Sequence, residues 1–239
     1  MGNNGLMGKF NHFAEKLMRI AQFQMLWVVF SLCGGVILGI MPATVGLYTV
    51  MRKWMVGNAE NRSFVKLYWT TFRKEFWKAN ALGFAITIAG VLIYLNFSLI
   101  RFSHGVTYWF LLIFVFMLCI LFIILLLFIF PVYAHFDTKF GRYFSISLLI
   151  GVSFPFHTLL MVVGNYGLYL LFMTVPGFIP IFSVSLFSFF SMWVSMKVFK
   201  SMDEIKESDS VKKPSKIKGL FQNNLRPVTN NKGNLDSST

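Results

Sequence analysis

The sequence predicts an all-α fold: a polytopic bundle of about five transmembrane helices, with amphipathic helices at the membrane interface. Three observations carry that expectation. Charged residues make up 13% of the chain, about half the roughly 25% of an ordinary globular domain. Hydrophobic residues make up 56%, with a mean hydropathy of +0.65. Several apolar runs reach the ~18 residues that mark a membrane-crossing helix. The clearest, "WFLLIFVFMLCILFIILLLFIF" at 109–130, runs for 22 residues without a charge.

The elements follow in chain order. Residues 1–24 hold an interfacial helix. Lys9, His12, Lys16 and Arg19 recur at helical spacing, and Phe10, Phe13, Leu17 and Ile20 follow one place on. A basic face beside an apolar one suits a helix lying among lipid headgroups. Residues 25–199 form the transmembrane domain. Span one covers 25–41 and continues through Pro42 as a kinked crossing, ending at Arg52, Lys53 and Trp54. Pro42 cannot bond the Leu38 carbonyl, so Thr44 or a neighbouring helix is expected to serve it. Spans two, three and four cover 81–100, 108–130 and 146–164. Span five runs from after Gly167 to Met196, interrupted by Pro176 and Pro180. Residues 200–239, rich in Ser, Asn and Lys, read as a disordered cytoplasmic tail.

Lys and Arg outside the spans set the orientation. With five spans and the C-terminus inside, 18 of the 22 cations are cytoplasmic and the N-terminus lies outside. If residues 39–51 turned back instead, 21 would share one side, with Arg101 alone opposite. The straight crossing is the expected arrangement, because the seven cations that follow span one outweigh the three before it. The net charge of +13 then reflects cationic loops facing anionic lipid headgroups. It does not point to nucleic acid, since no RNP-like, zinc-finger or helix-turn-helix pattern accompanies it.

Ser31, Gly35, Gly39 and Ala43 recur every four residues. Such a stripe lets two helix backbones approach closely, and packing within the protein is its expected use. A second basic aromatic segment is "NRSFVKLYWTTFRKEFWKAN", at 61–80. Its Arg73, Lys74, Trp77 and Lys78, with Asp137 and Arg142 of "PVYAHFDTKFGR", form the candidate surface for a cytoplasmic partner. The plainer reading is an interfacial helix and a solvated turn. His157 is the only ionisable residue deep in a span, and with Thr158 it is the candidate intramembrane polar site. The plainer reading is that this pair serves the Gly151 carbonyl, freed by Pro155.

Ser188, Ser191 and Ser195 share a face of span five and read as packing. Cys33 and Cys119 lack CxxC spacing and read as small buried apolar residues. There is no GxSxG, P-loop or HExxH pattern. No catalytic residue, cofactor or metal is therefore expected, and the chain is expected not to be an enzyme.

"MPATVGLYTVMRKW", followed about fifteen residues later by "TTFRKEFWKAN", resembles the YesL-like family of bacterial membrane proteins. The resemblance covers roughly residues 5–200, and the long tail departs from it. It implies a multi-pass protein of the bacterial plasma membrane. It further implies a role accessory to carbohydrate ABC-type uptake or polysaccharide utilisation, with a sugar ABC transporter component as partner. It supplies no catalytic residue. The alternative is a small-solute transporter or channel, with its site near His157 and helix kinks at Pro42, Pro155 and Pro176.

Overall fold

The computed structural model describes residues 6–57, 64–212 and 226–227. Its helices are α1 (Leu6–Cys33), α2 (Ile37–Met55), α3 (Phe64–Ile100), α4 (Val106–His135), α5 (Phe140–Ser153), α6 (Pro155–Thr174) and α7 (Ile179–Lys212). The two-residue strand β1 (Phe136–Asp137) pairs antiparallel with β2 (Arg226–Pro227). The all-α expectation holds. α7 runs on to Lys212, past the expected domain boundary at 200, and most of the remaining tail lies outside the described residues.

Four stretches are long and apolar enough to cross a membrane: α3, α4, α6 and residues 176–205, which contain most of α7. Only 22% of the most apolar part of α4 is buried inside the bundle. Phe110, Phe116 and Phe156 all face outward. In water such a surface would drive association, whereas acyl chains solvate it.

The first apolar run does not cross as one kinked helix. α1 ends at Cys33, the chain turns at 34–36, and α2 returns alongside α1. Gly35 has φ +78, which glycine adopts without steric cost. Val36 has φ 55 and ψ −74, and Ile37 N donates to the Gly35 carbonyl at 2.7 Å. That is a γ-turn centred on a β-branched residue, a rare and strained geometry. The two legs are locked at several levels. Trp27 Nε1 donates to Thr44 Oγ1 at 3.1 Å, and the Phe23 and Trp54 rings meet edge-on at 5.7 Å.

The small residues serve this closure, so they form no stripe along one helix. A Cβ on Gly39 would overlap the Ser31 carbonyl oxygen across the turn, while Gly35 sits within the turn. Ala43 is buried on α2, where its carbonyl accepts from the Tyr68 hydroxyl. Thr44 Oγ1 donates to Ile40 O at 2.7 Å, so it does not serve Leu38. The physical reason for the correction is local. Two successive glycines end the helix ahead of Pro42, and the proline is then accommodated, buried, inside α2. Cys33, beside the turn, is exposed, and Cys119 is half-buried; the expectation of two buried thiols is corrected.

The second half differs from expectation in two places. No loop lies at 165–167, because α6 is continuous there and the turn comes at 175–178. Docking on α7 keeps α6 helical: Gly164 lies against the Phe190 ring, and Phe172 meets Phe187 at 5.7 Å. Pro176 opens a 3-10 turn and Pro180 sits in the first turn of α7, where a missing N–H costs little. Span four is broken at Phe154, with φ −121 and ψ 66, because Pro155 disfavours the helical conformation in the residue before it.

Val36→Gly is expected to stabilise the protein by roughly 1 kcal/mol through relief of strain. Gly39→Leu is expected to destabilise it by about 1–3 kcal/mol through overpacking. Thermal unfolding in detergent checks both, and a Gly39→Leu protein as stable as the parent would contradict the closed hairpin.

Candidate functional site

Polar side chains tie the helices together at one end of the bundle. The last turn of α2 carries Arg52 and Lys53. Arg52 Nη1 donates to the Ala134 carbonyl at 3.0 Å. That oxygen belongs to the last turn of α4, which has no helical partner for it and which favours a cation through its dipole. Arg52 Nε is buried without a hydrogen-bond partner. Burial lowers the Arg52 pKa from its ordinary value, yet a guanidinium stays charged at neutral pH.

One residue earlier in α4, the Tyr133 hydroxyl donates to Glu75 Oε2 of α3 at 2.7 Å. Lys74 and Lys78 flank the same carboxylate at 3.8 and 4.0 Å. The Tyr133 ring tilts against Tyr143 of α5 at 4.6 Å. Thus α2, α3, α4 and α5 are joined at one level. Sequence reasoning passed over Glu75, whose only signal was a lone carboxylate among Arg73, Lys74 and Lys78.

Beside this junction lies a cavity of about 700 Å³. Lys16 of α1, Trp54 of α2 and His135 of α4 line it, with Trp193, Lys197, Lys200 and Asp203 of α7. Lys197 Nζ stands 3.7 Å from the centroid of the Trp193 ring, a cation–π contact. His135 packs on Phe199 at 4.3 Å, and the Arg19 guanidinium lies 5.2 Å from the centroid of the Phe64 ring. Lys16 and Lys197 therefore share one cavity. The basic stretch of α1 lies at the same end of the bundle as α2's Trp54 and the end of α7, where the straight crossing expected from sequence would have put it at the other end. The turn at 34–36 brings it there.

The serines expected to pack do so, but they also form a polar seam. Ser185, Ser188, Ser191 and Ser195 of α7 are all buried. The Ser185 N–H donates to Gln24 Oε1 at 2.9 Å, and Asn165 Nδ2 donates to Ser191 Oγ at 3.4 Å. The Tyr48 hydroxyl reaches Ser188 and Ser191. The hydroxyls of Ser185 and Ser195 and Asn165 Oδ1 are buried with no hydrogen-bond partner.

The remaining expected residues fall as follows. Thr158 Oγ1 donates to the Gly151 carbonyl at 2.7 Å and lies 3.2 Å from the Phe154 carbonyl. Thr158 therefore serves the oxygen that Pro155 frees. His157 is half-buried, its ring edge-on to Phe154 at 6.0 Å. The Arg73 guanidinium lies 5.6 Å from the centroid of the Trp69 ring. Trp77 is 82% exposed. Lys74, Lys78 and Asp137 are exposed too, and Arg142 is half-buried in the first turn of α5. Among the described residues no group of three His, Cys, Asp or Glu could hold a metal ion.

Long apolar helices with an outward apolar surface and a cationic end define a multi-pass helical membrane protein. The chain belongs to the family described as "Protein of unknown function, DUF624", whose model matches residues 20–97. It is 37% identical over 205 residues to the uncharacterised protein YteU of Bacillus subtilis (strain 168), covering 85% of this chain and 91% of that one. It is 35% identical over 215 residues to the uncharacterised protein YesL of the same organism, covering 86% and 95%. The uncharacterised protein YesV is 32% identical over 190 residues, covering 79% and 90%. The YesL-like resemblance is thus borne out. No solved structure matches. The family region takes in part of α1, all of α2 and most of α3, including Trp27, Thr44, Arg52, Tyr68 and Glu75.

Tyr133→Phe is expected to cost on the order of 1 kcal/mol or more, because it leaves the Glu75 carboxylate short of a partner. In a double-mutant cycle with Glu75→Gln, the two losses are expected to be less than additive. Thermal unfolding of the four proteins in detergent checks this.

Proposed function

We propose that this protein is a non-enzymatic accessory protein of the bacterial plasma membrane, serving carbohydrate ABC-type uptake or polysaccharide utilisation. In this reading the cationic end faces the cytoplasm and holds a transporter component. The observation that carries it is the exposed basic and aromatic face of α3, where Arg73, Lys74, Trp77 and Lys78 stand free of the bundle. Exposed Trp and Arg are typical anchors of protein interfaces. The tied junction behind them makes that face a rigid platform, and Asp137 and Arg142 extend it. The carbohydrate part of the reading is supported by the family resemblance.

The cytoplasmic orientation is supported by charge. Among the described cations up to residue 205, Arg101 alone lies at the far end of the spans. Such an imbalance favours the cationic side remaining in the cytoplasm.

A small-solute transporter is the second reading, favoured by the polar seam of Tyr48, Asn165 and the α7 serines. Polar groups buried between membrane helices often mark a solute path.

Three measurements test these readings. In a background without Cys33 and Cys119, an impermeant maleimide applied to intact cells is expected to label Phe102→Cys and to spare Asn11→Cys and Val56→Cys. Labelling of Asn11→Cys would overturn the orientation. Mild-detergent purification at native expression is expected to recover a transporter component, and Trp77→Ala with Lys78→Ala is expected to lower that recovery severalfold. Reconstituted liposomes are expected to move no sugar or ion. Flux that disappears in Tyr48→Phe or Ser188→Ala would favour the transporter reading instead.

A further inference from the structure

We propose that the cavity between α1, α2, α4 and α7 binds one anionic phospholipid. Its phosphate would meet Lys16, Lys197 and Lys200, and its acyl chains would lie against the aromatic wall. The reading does not depend on any transporter partner.

The volume of about 700 Å³ falls within the usual range for ligand sites. Among the described residues three ammonium groups line it against the single carboxylate of Asp203, so its charge balance favours an anion. Lys197 is held over Trp193 at 3.7 Å, which fixes one cation at the cavity wall. Among the described residues Lys200 has only the exposed Glu204 at 3.9 Å as an ion-pair partner, a contact worth little in water.

Apart from His135, the rest of the described lining is apolar: Trp54, Phe189, Trp193 and Phe199, with Met55 and Met196. A free phosphate would leave that wall unused. A sugar phosphate would bring hydroxyls to a lining that, among the described residues, offers no side-chain amide or hydroxyl. An amphiphile with a phosphate at one end matches both halves.

The position agrees with the composition. The cavity is lined by His135 at the end of α4 and by Lys197, Lys200 and Asp203 of α7, where charged residues follow the apolar run. Beside it, α1 exposes Phe10, Phe13, Leu17 and Met18 next to Lys16. That apolar face is placed to lie among acyl chains.

The test uses the full-length protein, delipidated in detergent, and native mass spectrometry. Equal amounts of phosphatidylglycerol and phosphatidylcholine are added. Phosphatidylglycerol adducts are expected to exceed phosphatidylcholine adducts by about fivefold or more, from roughly 1 kcal/mol per engaged lysine. Lys197→Gln with Lys200→Gln is expected to abolish that preference, and Lys197→Arg to retain it. Lys66→Gln with Lys139→Gln removes the same charge elsewhere, at two exposed positions, and is expected to leave it intact. Equal retention of the two lipids, or an equal effect of the two double variants, would overturn the site. Displacement of phosphatidylglycerol by millimolar glycerol phosphate would overturn the lipid as occupant, because the headgroup alone would then suffice. If the double variant fails to fold, the parent's preference must still fall with added salt; a salt-independent preference counts against the lysines.

Discussion

Within acyl chains no water takes up a loose main-chain group, and each one left bare costs several kcal/mol. Each break in these helices therefore brings its own partner. Thr158 answers the Gly151 carbonyl at the α5–α6 break, and Arg52 answers Ala134 at the end of α4. Within the hairpin, Tyr68 and Thr44 add donors to the Ala43 and Ile40 carbonyls. Gln24 reaches across to the Ser185 N–H. Much of the polarity inside this apolar chain is thus structural. A buried hydroxyl such as Thr158 resembles a chemical site in sequence, and in three dimensions it completes a helix end.

The two segments that carry the family likeness become one object when folded. "MPATVGLYTVMRKW" supplies the returning leg of the hairpin, with Arg52 at its end. "TTFRKEFWKAN" supplies Glu75 and the exposed cations around it. α4 bridges them through adjacent residues, Tyr133 to Glu75 and Ala134 to Arg52. The platform of α3 and the cavity lined by Lys16 and Lys197 both adjoin that bridge. A partner bound at Trp77 and a lipid bound at Lys197 would therefore act on one rigid end.

Class and helix content were legible because composition alone forces them, and α3 and α4 were legible because their apolar runs are long. The hairpin was not. Hydropathy has no direction, so two short legs joined at 34–36 read as one run with a proline in it. The pair of glycines was the missed signal, and the near-total charge asymmetry of a turned-back segment was outweighed by the balance of seven cations against three around span one. The junction and cavity were hidden for a different reason. Lys16 and Lys197 are brought together by folding alone, and the hydroxyl that Glu75 accepts from belongs to Tyr133, far along the chain. At 165–167 a polar residue and a glycine read as a loop, but packing against Phe190 kept the helix intact.

The turned-back hairpin also bears on how the chain enters its membrane. α1 begins and α2 ends at one end of the bundle, so the cations of both lie together there. Only the tips of two helical pairs pass across, residues 101–105 between α3 and α4 and residues 175–178 between α6 and α7. The first carries Arg101 and the second no charge. With the cationic end in the cytoplasm, as proposed, insertion would reduce to passing two apolar pairs across by their tips.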